Sequence, residues 1–241
     1  MATQSSLIQN PRVVSHEQWA TERVAFMAKE KEFTRLRDEL SRQRRELPWV
    51  RVEKPYVFHG PNGEETLAEA FEGRSQLLVY HFMFGPEMKE GCPSCSWVAD
   101  HFDATLPHLA ARDVTLVVVS RAPLPMLETF KRRMGWRFKW VSSYGSDFNY
   151  DFGVSFTDEQ RASGVLPYNY GTIEFTGAEK QGASVFAKDG DDVFHTYSTY
   201  GRGVEALMGT YSYLDLVPKG RDEEGLAFTM AWVRHHDRYE D

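Results

Sequence analysis

The residues best suited to chemistry lie in one short stretch, KEGCPSCSW, from Lys89 to Trp97. It holds both cysteines of the chain, Cys92 and Cys95. Two thiols three positions apart sit one helical turn from each other. That spacing suits a dithiol that closes to a disulfide and reopens, with Cys92 as the attacking thiolate and Cys95 as the resolving thiol. It also suits half of a metal site. Structural zinc asks for four ligands, and the chain has no second C-x-x-C. His81, His101, His195, His235 and His236 are the histidines that could complete a set, and none stands at a decisive spacing. The reading taken is redox, with no metal and no cofactor.

Such a pair works only if the chain presents it correctly. Gln76 to Phe84 is an almost continuous apolar run, the pattern of a strand covered on both faces. Gly85-Pro86 ends it. After a short loop the cysteines open a helix whose apolar face runs through Val98, Phe102, Leu106 and Leu109. A helix N-terminus stabilises negative charge and lowers a thiol's pKa. Pro93 suits the first turn, where a missing N–H costs nothing. Ser94 and Trp97 flank the thiols, and His81 in the strand is a candidate proton relay.

Further elements follow the same alternation. Val114–Ser120 reads as a second buried strand, Leu124 to Met134 as a helix, and Phe138 to Val141 as a third strand. Ala183–Ala187 and Val193–Tyr197 read as a hairpin turning at Asp189-Gly190-Asp191. Val204 to Leu216 reads as helix. Near the start, Ser15 and Gln18 form a capping box for a long helix from His16 to Arg45, and Tyr56–His59 reads as a short strand. Strands alternating with helices argue an α/β sheet with right-handed crossovers. The division expected is an N-terminal arm and helix over 1–54, a core domain over 55–216 with an excursion at 145–180, and a C-terminal tail over 217–241.

These pieces resemble the thioredoxin superfamily: Cys92-Pro93-Ser94-Cys95 after a strand, the strand Val114–Ser120, and the hairpin SVFAKDGDDVFHTY. The segments MFGPEMKEGCPSCSW, SVFAKDGDDVFHTYSTYGRG and WVRHHDRY look more specifically like a bacterial thioredoxin-like family, domain of unknown function 899. The resemblance implies a central mixed sheet flanked by helices and a thiol–disulfide oxidoreductase. Its partner would be a thiol or disulfide protein or a small redox molecule. Three positions depart from thioredoxins. Gly91 stands where they carry Trp, Tyr80-His81 where they carry a buried acid, and Gly182-Ala183-Ser184 where they carry a cis-proline. Two alternatives stay open: a thiol peroxidase of peroxiredoxin type, although Lys89 occupies the threonine position of P-x-x-x-T-x-x-C, and a non-catalytic redox-sensing or metal-binding module.

Composition bounds the rest. The 241 residues carry a net charge of -7 and 41% hydrophobic residues. Bases are interleaved with acids, which argues against nucleic acid as a partner. No apolar run approaches the roughly 18 residues of a membrane span, and the first 20 residues lack a signal-peptide pattern. The expectation is a cytoplasmic protein, with a homodimer left open. The N-terminal helix reads as packed on its own domain or on a partner, and His235-His236 as exposed tail or dimer contact. Two weaker motifs are set aside. Asp147-Phe-Asn149-Tyr-Asp151 starts like a calcium loop but has Phe152 where glycine is required. Gly201-Arg-Gly203-Val-Glu-Ala206 lacks the strand and acid a dinucleotide site needs.

Overall fold

The computed structural model describes residues 11–240. Residues 1–10, most of the expected N-terminal arm, lie outside them. In chain order the elements are α1 (His16–Arg44), β1 (Val50–Arg51), β2 (Val57–Gly60), β3 (Gly63–Thr66), β4 (Gln76–His81), α2 (Pro93–Ala99), α3 (Leu106–Ala110), β5 (Val114–Ser120) and α4 (Leu124–Arg133). They continue with β6 (Lys139–Ser142), α5 (Phe148–Asp151), α6 (Asp158–Ala162), β7 (Val165–Tyr168), β8 (Gly171–Glu174), β9 (Gly182–Asp189), β10 (Asp192–Tyr200) and α7 (Thr210–Leu214).

Eight strands form one sheet in the order β1-β10-β9-β4-β5-β6-β2-β3. At its centre β4, β5 and β6 run parallel, and β9 runs antiparallel to β4. Tyr80 of β4 pairs with Val118 on one side and Ala183 on the other. This β4-α-β5-α-β6 unit closed by the β9–β10 hairpin is a thioredoxin-like fold. The hairpin turns at Gly190, whose φ of +58° lies in the left-handed region that glycine adopts freely.

Period-two alternation in β4 sorts its side chains onto two faces. Leu77 and Val79 join Val117, Val119, Val141, Phe148 and Phe186 in one buried cluster. On the other face Tyr80 packs edge-on against Phe102, and Phe82 against Trp136 and Trp140. Phe84, Phe130 and Phe138 continue that aromatic layer.

The chain divides into two compact units, one of Met1–Pro48 with Ser212–Asp222 and one of Trp49–Tyr211 with Glu223–Asp241. In the first, α1 begins at the Ser15 capping box and has no buried residue along its 29 positions. Its Trp19, Phe26, Phe33 and Leu40 are all more than half exposed.

Several elements differ from the sequence expectation. The helix expected through Val98–Leu109 breaks after Ala99 and restarts as α3, with Pro107 in its first turn, where a proline is tolerated. Val204–Leu216 is a 3₁₀ segment, Gly201–Leu207, then α7, parted by Met208 in extended conformation. The 145–180 excursion carries its own hairpin, β7–β8, turning at Asn169 and Tyr170 with φ of +54° and +60°. That is the geometry of a type I′ turn without the usual glycine. The short edge strands β1 and β3 had no signal of their own.

Candidate functional site

Cys92 caps α2, with φ −59° and ψ 131°, and Pro93 follows in the first turn. Its carbonyl accepts the Ser96 N–H and the Ser96 hydroxyl, both at 2.9 Å. Met83, just past the end of β4, touches both cysteines with its backbone. Its carbonyl accepts the Cys92 N–H at 3.1 Å, and its N–H points at Cys95 Sγ, 3.5 Å away. The loop between them closes tightly. A Cβ on Gly91 would lie 2.7 Å from Phe82 Cε1 and 2.8 Å from Phe130 Cε1, so only glycine fits. That is the physical reason for Gly91 where thioredoxins carry tryptophan.

The two thiols stand in unlike surroundings. Cys92 is half-buried and Cys95 fully buried; neither is in a disulfide. The Cys92 thiolate gains a hydrogen bond from the Cys95 thiol first, then from the N–H groups of Cys95 and Ser94 and the Ser94 hydroxyl. These outweigh burial and pull it from the usual 9.0 to about 6. Cys95 moves up, chiefly because burial disfavours its charge and then because it already donates to Cys92.

Two groups contact Cys95: Gln181, which the sequence did not single out, and Tyr80, which it marked only as a departure from thioredoxins. Gln181 Oε1 accepts the Tyr80 hydroxyl at 3.1 Å and lies 3.9 Å from Cys95 Sγ. Tyr80 is fully buried, hydrogen-bonds Cys95, and has its own ionisation pushed well up by burial. Gln181 immediately precedes β9; among the described residues, Gly182-Ala183-Ser184 included, no peptide bond is cis. The β7–β8 excursion contributes Tyr168, whose hydroxyl donates to the Gln181 carbonyl at 2.7 Å. Lys180 lies 3.8 Å above the Phe175 ring. Burial lowers its pKa, and the charge of Cys92 partly offsets that. Behind it Glu179 is buried, paired with Arg121 Nε at 2.8 Å and the Ser155 hydroxyl at 2.6 Å.

His81 is not brought to the thiols. It follows Tyr80 in the strand and so faces the opposite side of the sheet, stacked near Phe148 and Phe152. Its Nε2 lies 2.8 Å from Ser184 Oγ, and Nδ1 has no partner. Burial pushes its pKa down to about 3, which keeps it neutral. Trp97 points away from the pair into an aromatic contact with Tyr211 and Trp232, its Nε1 donating to Thr210. Ser94 and Pro93 stay at the site. The remaining histidines scatter. His101 bridges Trp97 and Thr210, His195 meets Ser198, and His236 meets Asp100. His235, read from the sequence as exposed tail or dimer contact, is buried against the cysteine loop of its own chain. Among the described residues no three His, Cys, Asp or Glu side chains cluster as a metal site. No helix among them is long and apolar enough to cross a membrane.

A thioredoxin-like domain with two unequally buried cysteines opening the helix after its central strand is the class these features define. The chain belongs to the bacterial protein family of unknown function designated domain of unknown function 899, whose model matches residues 8–239. No curated protein matches it. Among solved structures it is similar to the bacterioferritin comigratory protein of Xanthomonas campestris, with 15% identity over 63% of this chain and 86% of that one and a TM-score of 0.43. It is also similar to the peroxidoxin BcpB of Mycobacterium tuberculosis, with 16% identity over 67% and 94% and a TM-score of 0.45. A third is the mitochondrial 2-Cys peroxiredoxin of Plasmodium falciparum, with 11% identity over 68% and 93% and a TM-score of 0.42. Likenesses of this degree assign no residue and no reaction.

Proposed function

We propose that the chain is a thiol–disulfide oxidoreductase of a reducing, cytoplasmic compartment. The observation that supports this most is the asymmetry of the dithiol, with a half-buried Cys92 favouring the thiolate and a buried Cys95 keeping its proton. The Cys92 thiolate attacks one sulfur of a substrate disulfide. A Cys92–substrate disulfide forms, and the other sulfur leaves as a thiolate. The Cys95 thiol loses its proton and attacks Cys92 Sγ. The second substrate thiol is released, leaving a Cys92–Cys95 disulfide and a substrate reduced by two electrons. A dithiol reductant returns the pair to its starting state. Tyr80 and Gln181 serve Cys95 in the second step, since both contact its sulfur.

The test is turnover of a small aromatic disulfide with a dithiol reductant. Cys92→Ser should abolish it, and Cys95→Ser should trap the mixed disulfide. Full activity in Cys92→Ser would sink the assignment. A second reading, thiol peroxidase, is favoured by the half-burial of Cys92, which admits a peroxide more readily than a protein disulfide. There Cys92 takes one peroxide oxygen to become a sulfenic acid, the other leaves as water or alcohol, and Cys95 condenses with the sulfenic acid, releasing water. Peroxide consumption by reduced protein far above the rate of free cysteine would select that reading.

A further inference from the structure

We infer that His235, from the C-terminal segment, is a positioning residue for Cys92. This rests on the reading of Cys92 as the nucleophile. The peptide joining Gly91 to Cys92 has two polar atoms, and both are held. The Cys92 N–H donates to Met83 O at 3.1 Å, from the end of the central strand. The Gly91 carbonyl lies 2.8 Å from His235 Nε2, 144 positions along the chain. A carbonyl only accepts, so Nε2 carries the proton. Glycine is the least restrained residue a chain can place before a nucleophile. Without the second anchor, one hydrogen bond would hold the swivel.

The anchor is itself built. His235 is 1% exposed and packs edge-on against Phe130. With the proton on Nε2, its Nδ1 accepts, and Arg133 Nη2 stands 3.4 Å away. Arg133 also grips Asp237 through two hydrogen bonds of 2.8 Å and Glu90 through one of 2.9 Å. Arg238 closes the ring with two bonds of 2.8 Å to Glu90. Thus α4, the cysteine loop and the segment 235–238 form one network of charge-assisted bonds around the Gly91 carbonyl. The thiolate at Cys92 depends on donors at Cys95 and Ser94, which reach it only if the residue sits where this network puts it. The C-terminal segment therefore completes the redox site.

The experiment compares the pH midpoint of Cys92 thiolate formation in the full-length wild type, His235→Gln, His235→Ala and Arg238→Ala. Midpoints are read from thiolate absorbance and from alkylation rate. In His235→Ala the midpoint should rise by about one unit, a tenfold change in acidity. Gln places an amide N–H near the position of Nε2 and should restore the wild-type value. Arg238→Ala, at an exposed position, should stay folded and move the midpoint the same way by less. It carries the test should His235→Ala not fold. A purely structural role would lower the unfolding midpoint and leave the thiol untouched. A folded His235→Ala or Arg238→Ala with the low wild-type midpoint overturns the inference alone. An ordinary midpoint already in the wild type overturns the reading of Cys92 and this inference with it.

Discussion

The acidity of Cys92 fixes how its reactivity must vary with pH. With a pKa of about 6 against the usual 9.0, Cys92 is mostly thiolate at pH 7, about 90%, where an ordinary thiol is about 1%. Stabilising the thiolate also makes it a weaker nucleophile. With a Brønsted coefficient of about 0.45, three pK units cost about 20-fold in intrinsic reactivity. The net advantage at pH 7 is therefore only about fourfold, and it reverses above about pH 7.7. The assay is the rate of alkylation by a small reagent from pH 4.5 to 10 in Cys95→Ser, which leaves one thiol to follow, and in Cys95→Ala. Cys95 supplies the largest favourable hydrogen bond to Cys92. A serine hydroxyl can donate in its place, so Cys95→Ser should keep a low midpoint. Alanine cannot, so its midpoint should rise toward the ordinary value. The Ser94 hydroxyl and two N–H groups would remain. Access to the half-buried sulfur scales every rate alike and leaves the midpoints untouched. A midpoint near 9 in Cys95→Ser, or no rise between serine and alanine, would refute the reasoning.

Three further outcomes follow from the packing around the site. Gly91→Ala forces a methyl into Phe82 and Phe130 and should cost about 1–3 kcal/mol, read from urea unfolding; unchanged stability would show that the loop yields. Tyr80→Phe removes the donor to Gln181 and Cys95 and should cost about 1 kcal/mol. It should also slow release of the second thiol after Cys92 has formed a mixed disulfide, without slowing the first attack. His81 is neutral in the fold with a pKa of about 3, whereas the unfolded chain takes up its proton near 6.5. Its contribution is whole above pH 6.5 and lost as pH falls toward 3, at up to about 1.4 kcal/mol per pH unit. His81→Leu should be less stable at pH 7, for want of the Ser184 contact, yet show a flatter decline in acid. Parallel declines for the two proteins would contradict this.

The sequence showed much of the frame because its strongest signals are local. The apolar run at Gln76–Phe84 and the β-branched run at Val114–Ser120 are short and bounded by turn residues, which favours buried strand, and the structure has β4 over Gln76–His81 and β5 over Val114–Ser120. The Asp-Gly turn fixes the hairpin beside them. The thiol pair was legible for the same reason, as two cysteines and a proline at the start of a helix. Its surroundings were not. Tyr80 and His81 are neighbours in a strand, and which of them meets the thiols depends on the face that α2 covers. Strand alternation gives two choices and no way to pick between them. Gln181 and Lys180 arrive from a segment about 90 residues on, without a periodic pattern. Asn169-Tyr170 conceals a type I′ turn because neither residue is glycine. His235 looked like tail or dimer contact because nothing near it in the chain reveals the Glu90–Arg133 pair that receives it.

The aromatic layer above the sheet also makes the protein its own optical instrument. Of six tryptophans, Trp97, Trp136 and Trp140 are buried on the thiol side, while Trp19 and Trp49 are more than half exposed. Trp97 lies two residues past Cys95, in contact with Trp232. A disulfide quenches nearby indole emission more strongly than a thiol does. Oxidation should dim the blue, buried part of the spectrum and leave the red, exposed part as an internal standard. The state of Cys92 and Cys95 can then be followed in real time without a label.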